Sequence, residues 1–218
     1  RFPATITHCW TRLLLLSLDT ATDVATACLT EDGEVLAESM SRGRSTAAQR
    51  LLADIHGLFG SARRRPDELD AVIAGTGPGT FTGLRIGLAS ARALGFALGV
   101  PVHGVGTLDA LLASDGVDVA CIDARRGEVF CAGAGIALCA LAPELLAERL
   151  AAGAVVVGDG AMRYREQLAA AHVPEDGSPL HVPWARHHAA LREQWGAPDP
   201  QYVRAPDADR VLTARAAS

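Results

Sequence analysis

Two aspartates stand where this sequence could do chemistry. Asp19 closes the apolar run that starts at Leu13 and leads into Thr20-Ala21-Thr22; Asp123 closes a second apolar run from Val117 and leads into Ala124-Arg125-Arg126-Gly127. An acid and hydroxyls at the end of a buried strand, beside the exposed N–H groups of a turn, can hold a metal-bound phosphate. The same residues can also do no more than tie the turn through Asx-type hydrogen bonds. After Asp123 the two arginines have three readings: they bind an anion directly, they fill the space a phosphate would need, or they sit on a solvated surface turn.

A third stretch with chemical character is Gly75-Thr76-Gly77-Pro78-Gly79-Thr80-Phe81-Thr82-Gly83, four glycines and a proline in nine residues. Such a run forces a tight passage from strand to helix, and a helix N-terminus can receive an anion. No Lys follows it, so it is not a P-loop. Pro78 and Phe81 break the dinucleotide fingerprint, and a Thr is displaced from the nucleophile position of a G-x-S-x-G elbow. In the helix that follows, Gly83, Gly87, Ala91 and Gly95 recur every four residues, with Leu84, Ile86, Leu88 and Leu94 beside them. Each interior glycine costs a helix about 1 kcal/mol against alanine, so the stripe marks a close-packed face. Spacing alone leaves open whether its neighbour is the same lobe or a helix of a partner. Gly158-Asp159-Gly160-Ala161 after Val155-Val156-Val157 is a strand-to-helix turn into which a flat ring or a backbone can come close.

Composition removes several chemistries. All 20 basic residues are Arg, which excludes Walker-type phosphate binding and Schiff-base catalysis. The net charge of −5 lacks the basic footprint of a free-standing nucleic-acid binder. No H-x-x-x-H or H-E-x-x-H pattern is present, so no helical histidine pair grips a metal. His187 and His188 are adjacent and face different ways; His56 and His103 lie in apolar contexts and are expected in the core or an interface. Five cysteines, Cys9, Cys28, Cys121, Cys131 and Cys139, include no C-x-x-C pair, which fits a reduced, cytoplasmic compartment. No apolar run approaches the eighteen or so residues of a membrane span.

The elements that must position these residues follow from periodicity. Strands are expected over 13–19, 24–30 and 34–40, with Glu31-Asp32-Gly33 as a hairpin turn, followed by a helix over 47–59. A short helix opens at Pro66, a buried strand spans 71–74, a helix spans 83–98, a strand spans 100–105 and a helix spans 108–113. Then the pattern restarts: strands over 117–123 and 128–132, a helix over 143–150, a strand over 154–157, a helix over 162–171, a loop over 172–183 and a final helix over 184–195. Each half opens with hairpin strands and then alternates helix and strand, which points to two α/β lobes with mixed sheets. The expected organisation is a disordered extension over 1–12, a first lobe over 13–107, a shorter second lobe over 108–204 and a tail over 205–218.

Leu18-Asp19-Thr20-Ala21-Thr22, the string from Gly75 to Gly87, Ile122 to Phe130, Gly158 to Ala161, and Tyr202-Val203-Arg204 followed by Ala205-Pro206-Asp207 together resemble the TsaB family, from about Leu13 to Asp207. The resemblance implies an α/β fold of duplicated ribonuclease-H-like lobes of the actin-like ATPase type, mixed sheets with flanking helices. It implies a non-catalytic subunit, with no catalytic residue and no metal site of its own. Such a subunit pairs with a TsaD-type catalytic subunit and a TsaE-type ATPase to put threonylcarbamoyl on the adenosine next to the tRNA anticodon. It touches tRNA only through the complex and forms a homodimer when alone. On this resemblance the partner face comprises Gly83, Leu84, Ile86, Gly87, Ser90 and Ala91. Asp19, Thr20, Thr22 and Asp123 become remnants of nucleotide loops, and ATP or ADP with magnesium belongs to the complex. The rival reading is an ATP-dependent phosphotransferase or ATPase of the same fold, with Asp19 and Asp123 around magnesium; a peptidase is a weaker rival.

Overall fold

The computed structural model describes residues 12–203, and for residues 44–49 the backbone alone. The expected extension, the expected tail with its Arg204-Ala205-Pro206-Asp207 motif, and Cys9 therefore lie outside the described residues, apart from Arg12. Among the described residues no helix is long and apolar enough to cross a membrane.

The first sheet is built from β1 (Leu14–Asp19), β2 (Val24–Glu31), β3 (Glu34–Arg42), β4 (Ala71–Gly75) and β5 (Val102–Val105), in the order β3-β2-β1-β4-β5. β1 runs antiparallel to β2 and parallel to β4. The β2–β3 turn places Asp32 at φ 53° and Gly33 at φ 92°, the two left-handed residues that match a hairpin's twist. The second sheet repeats the plan with one strand fewer. β6 (Val119–Arg125), β7 (Glu128–Gly133), β8 (Ile136–Leu141) and β9 (Val156–Val157) stand in the order β8-β7-β6-β9, with β6 antiparallel to β7 and parallel to β9. Asp19 and Asp123 thus end or nearly end the corresponding strands, β1 and β6, of two mixed sheets. This is the duplicated α/β architecture expected of the sequence.

Alternation along β1 assigns the layers, because successive strand side chains point to opposite faces. Leu14, Leu16 and Leu18 join Leu51, Ile55, Leu58 and Phe59 of α1 (Arg44–Ala62) and Leu88 and Ala91 of α2 (Phe81–Leu98) in one core. Leu15 faces the other way and packs with Ile73, Val105 and Ala189. Ala189 belongs to α6 (Ala185–Ala190), so a helix that follows the whole second sheet in the chain covers the first sheet. Arg186 of α6 pairs with Glu38 of β3, and Thr26 of β2 donates to the Pro183 carbonyl at 2.8 Å. α6, in the expected second lobe over 108–204, thus packs on the first sheet. On the second sheet, Ala120, Ile122 and Phe130 pack under Leu108 and Leu111 of α3 (Thr107–Leu112), while Cys121, Val129 and Cys131 pack with Leu146 of α4 (Pro143–Ala147) and Ala161 of α5 (Asp159–Arg163). α3 and α6 meet between the sheets, where the His187 ring lies 2.8 Å from the Ala110 carbonyl.

The expected helices of the second half are shortened. The segment after α5 winds in turns, and His172 reaches Val155 to form a bridge. α6 stops at Ala190 because the Trp195 indole takes the His188 carbonyl at 3.0 Å, leaving only a short 3-10 turn over Arg192–Gln194. α4 ends at Ala147 rather than 150. His103, half-buried on β5, stacks on Trp195 with ring centroids 5.0 Å apart. His56 is exposed on α1, contrary to the expectation of a core or interface position.

Candidate functional site

The two loops that could receive a nucleotide are filled by the chain's own groups. Asp19 is completely buried. One carboxylate oxygen accepts from the Ala21 N–H at 2.8 Å, which is the Asx-type turn; the other accepts from the Thr107 hydroxyl at 2.8 Å and lies 2.9 Å from Nε2 of the fully buried His188. That imidazole is close but not in line for a good hydrogen bond. A side chain at Gly75 would begin 2.0 Å from the same carboxylate, so nothing further fits against it. Thr20 gives its hydroxyl to the Gly83 carbonyl at 2.7 Å, and Thr22 bonds the Val24 backbone at 3.2 Å. The glycine-rich passage folds over the same turn: the Thr80 N–H bonds the Ala21 carbonyl at 2.7 Å, and a Cβ at Gly79 would lie 2.2 Å from that oxygen. The loop's tight approach serves internal packing.

At the second loop, Arg125 turns back on Asp123. Its guanidinium lies 2.8 Å from one carboxylate oxygen, its own N–H bonds the other at 2.9 Å, and its second amino group reaches Asp23 of the first lobe at 3.5 Å. Arg163 approaches Asp123 at 3.6 Å, and the Tyr164 hydroxyl donates to Asp123 at 3.5 Å. Of the readings open for the arginines, Arg125 follows the space-filling one: its positive charge sits where a phosphate's countercharge would be needed. The residues present therefore do not fit magnesium and a nucleotide triphosphate. Among the described residues no group of three or more His, Cys, Asp or Glu side chains is placed to hold a metal ion. A cavity of about 280 Å³ lies elsewhere on the second sheet, lined by Asp118, Ile136, Arg149 and the 151–154 backbone.

Asp159, from the Gly158-Asp159-Gly160-Ala161 turn, accepts from the Asp123 N–H at 3.0 Å and holds the two turns together. Burial, with Asp123 and Asp23 nearby, pushes its carboxyl up to about 6, against the pull of the Asp123 and Gly160 N–H groups. The folded value lies above the unfolded one, so Asp159 stabilises the fold fully below about pH 4, and that contribution is lost as pH rises through about 6. Asp159→Asn keeps the accepting oxygen without the charge. It should unfold at higher urea than the parent at pH 7.5, by on the order of 2 kcal/mol, with the gap closing at pH 4; equal stability at both pH values would refute this.

α2 is where structure and expectation part most clearly. Leu84, Gly87 and Ala91 are buried inside the first lobe. A Cβ at Gly83 would meet the Thr20 carbonyl at 2.1 Å, one at Gly87 the Thr20 hydroxyl at 2.3 Å, and one at Gly95 the Val102 side chain at 2.3 Å. The small-residue stripe lets α2 lie close against its own lobe. Of the six residues expected at a partner face, Gly83, Ile86 and Ser90 are half-buried, and Leu84, Gly87 and Ala91 are buried. Gly87→Leu should drive α2 off Thr20 and cost about 2 kcal/mol or more, seen as a lower thermal midpoint of the isolated chain; an unchanged midpoint would refute the packing.

The outward face of α2 carries Phe81, Arg85, Arg92 and Phe96. Phe96 is 92% exposed and Phe81 43%. Arg85 stacks its guanidinium 3.5 Å above the Phe81 ring. A strap over residues 196–203 crosses this region. Gly196 bridges Gly104, the Gln201 N–H bonds the Thr76 carbonyl at 2.8 Å, Asp199 pairs with Arg92 at 2.8 Å, and Tyr202 lies 5.9 Å from Phe81. Leu52 of the adjoining α1 is 60% exposed. Sequence reasoning missed this face although its signal was present: Phe81, Arg85, Arg92 and Phe96 occupy the helical positions opposite the glycine stripe. His188 and Thr107, the partners of Asp19, carried no local signal at all.

The comparisons with known proteins agree with this geometry. The profile of the family described as TsaD: tRNA N6-adenosine threonylcarbamoyltransferase matches residues 33–170. An uncharacterised Mycobacterium leprae protein is 43% identical over 122 residues, 54% of this chain and 34% of its own. The tRNA threonylcarbamoyladenosine biosynthesis protein TsaB of Bacillus subtilis is 30% identical over 122 residues, 54% of this chain and 53% of its own. Among solved structures, YeaZ from Pseudomonas aeruginosa superposes with a TM-score of 0.70 at 27% identity, covering 87% of this chain and 99% of that one. The chain's match spans only about a third to a half of these two sequence relatives.

Proposed function

This chain belongs to the TsaD family and stands with its TsaB members, and on that premise we propose that it is the non-catalytic partner of a TsaD-type subunit, required for threonylcarbamoyl transfer to the adenosine next to the tRNA anticodon. The observation that carries the non-catalytic part is the filling of both loops: Asp19 is closed in by Ala21, Thr107 and His188, and Asp123 is neutralised by Arg125. Together with the ill fit of a magnesium nucleotide, this disfavours the ATPase rival. What remains for the first lobe to do is to present a surface. We place the TsaD-type contact on the outward face of α2, with Phe81, Arg85 and Phe96 at its centre, Ile86 and Ser90 at its margin, and Leu52 and Tyr202 beside it. An exposed aromatic with adjacent arginine is the composition of an interface centre. A TsaE-type ATPase joins that pair, nucleotide and magnesium enter with the complex, and tRNA is reached through it in the cytoplasm. In isolation the same face closes on a second copy.

The test is an omission assay. The TsaD-type and TsaE-type subunits, the donor-forming synthase and tRNA are combined with and without this chain, and threonylcarbamoyladenosine is measured by mass spectrometry. Product is expected only when the chain is present. Equal product in its absence would refute the partner role.

A further inference from the structure

Three cysteines line up across the second sheet. Cys121 of β6 is opposite Cys131 of β7, and Cys131 is opposite Cys139 of β8. Cys121 and Cys131 are fully buried, whereas Cys139 is half-exposed on β8, the outermost strand of its sheet. The Cys131 and Cys139 sulfurs are 3.8 Å apart. Opposite residues of an antiparallel pair hold their Cα atoms about 4.5–5.5 Å apart, inside the range a disulfide spans, so side-chain rotation alone can bring the sulfurs to the bonded distance of about 2.05 Å.

We propose that Cys131 and Cys139 form a closable dithiol, a modification site at the open edge of the second sheet that a low-molecular-weight disulfide oxidises to an intramolecular cystine. Cys139, the accessible member, attacks one sulfur of the oxidant R–S–S–R as its thiolate. A Cys139–S–S–R bond forms and RS⁻ leaves. Cys131 then attacks the Cys139 sulfur, the bond between the two cysteines forms, and the second RS⁻ leaves. The two thiol protons end on the two RS⁻ groups, so two electrons pass to the oxidant and two RSH are released. Burial and the adjacent Cys139 thiol push Cys131 up to about 12, with Arg149 pulling the other way. That makes Cys131 inert toward an external reagent and reactive only toward a sulfur already placed beside it. The product would tie the outermost strand to its neighbour.

The full chain is equilibrated in buffers of glutathione and glutathione disulfide, quenched by alkylation and peptide-mapped cysteine by cysteine. The expected result is the joint loss of two thiols per chain and a Cys131–Cys139 linked peptide within one chain, reversed by dithiothreitol. Cys131→Ser should stop at a glutathione adduct on Cys139, and Cys139→Ser should leave Cys131 unmodified. A stable adduct on Cys139 of the unsubstituted chain, a Cys121–Cys131 link, a link between chains, or full retention of both thiols at a strongly oxidising poise would each overturn the proposal. Should either variant fail to fold, phenylarsine oxide on the unsubstituted chain decides: one arsenic bridging the two sulfurs, with loss of water, protects both cysteines from alkylation together. Protection of one alone, or of neither, refutes the site.

Discussion

His188→Ala is expected to lower the stability of the isolated chain by about 2–5 kcal/mol, the range found when a large side chain is truncated in a packed interior. The imidazole is completely buried beside an equally buried carboxylate, 2.9 Å from Asp19 Oδ2. Without it, Asp19 retains only the Thr107 hydroxyl and the Ala21 N–H, and a cavity opens between α6 and β1 that the fixed strands cannot close. Domains are commonly stable by only about 5–15 kcal/mol, so this substitution should bring the protein close to its threshold. Urea unfolding measures it, and a double-mutant cycle with Asp19→Ala identifies the cause: the double variant should lose at least about 1 kcal/mol less than the two single losses combined. A loss below about 1 kcal/mol for His188→Ala would refute the prediction, and strict additivity would show that the contact contributes packing alone.

Phe96→Asp should leave the chain as stable as the parent, within about 0.5 kcal/mol, and weaken its complex with the TsaD-type subunit about 30-fold or more. The estimate is that of an interface centre, at about 2 kcal/mol or above, and it rests on the docking face proposed for α2. Phe96 is 92% exposed, so no interior contact depends on it. Calorimetric titration reads the affinity, and the threonylcarbamoyl assay at limiting chain should fall in parallel. Gly87→Leu separates surface from scaffold, because it should lower affinity only together with the thermal midpoint. An unchanged affinity for Phe96→Asp would move the contact elsewhere on the first lobe.

The strands, the hairpin turn and the repeat were legible because they depend on neighbours in the chain. The apolar run from Leu13 announces a buried strand, and Asp32-Gly33 announces the hairpin turn between the next two. The site was legible in its residues but not in their partners. Asp19 and Asp123 could be found as acids at strand ends, and nothing local tells whether such an acid faces a ligand or the protein's own side chains. The answer was His188 and Thr107 for one and Arg125 for the other, and only the last was adjacent in sequence. The stripe of Gly83, Gly87 and Ala91 was legible as a close contact, but not which neighbour it meets. Spacing records how near a neighbour comes; the Thr20 turn occupies that place.

The position of α6 sets an order of events for the chain as it is made. The first sheet leaves the ribosome early, and one of its faces, with Leu15, Ile73 and Val105, has no cover until Ala189 and Trp195 arrive after the second sheet is complete. The nascent first lobe therefore carries an apolar face through most of translation. Any shortened product that stops before α6 keeps that face bare, a surface for chaperones and proteases to act on. α6 therefore acts as a latch on the first sheet, and the check it provides is written into the topology.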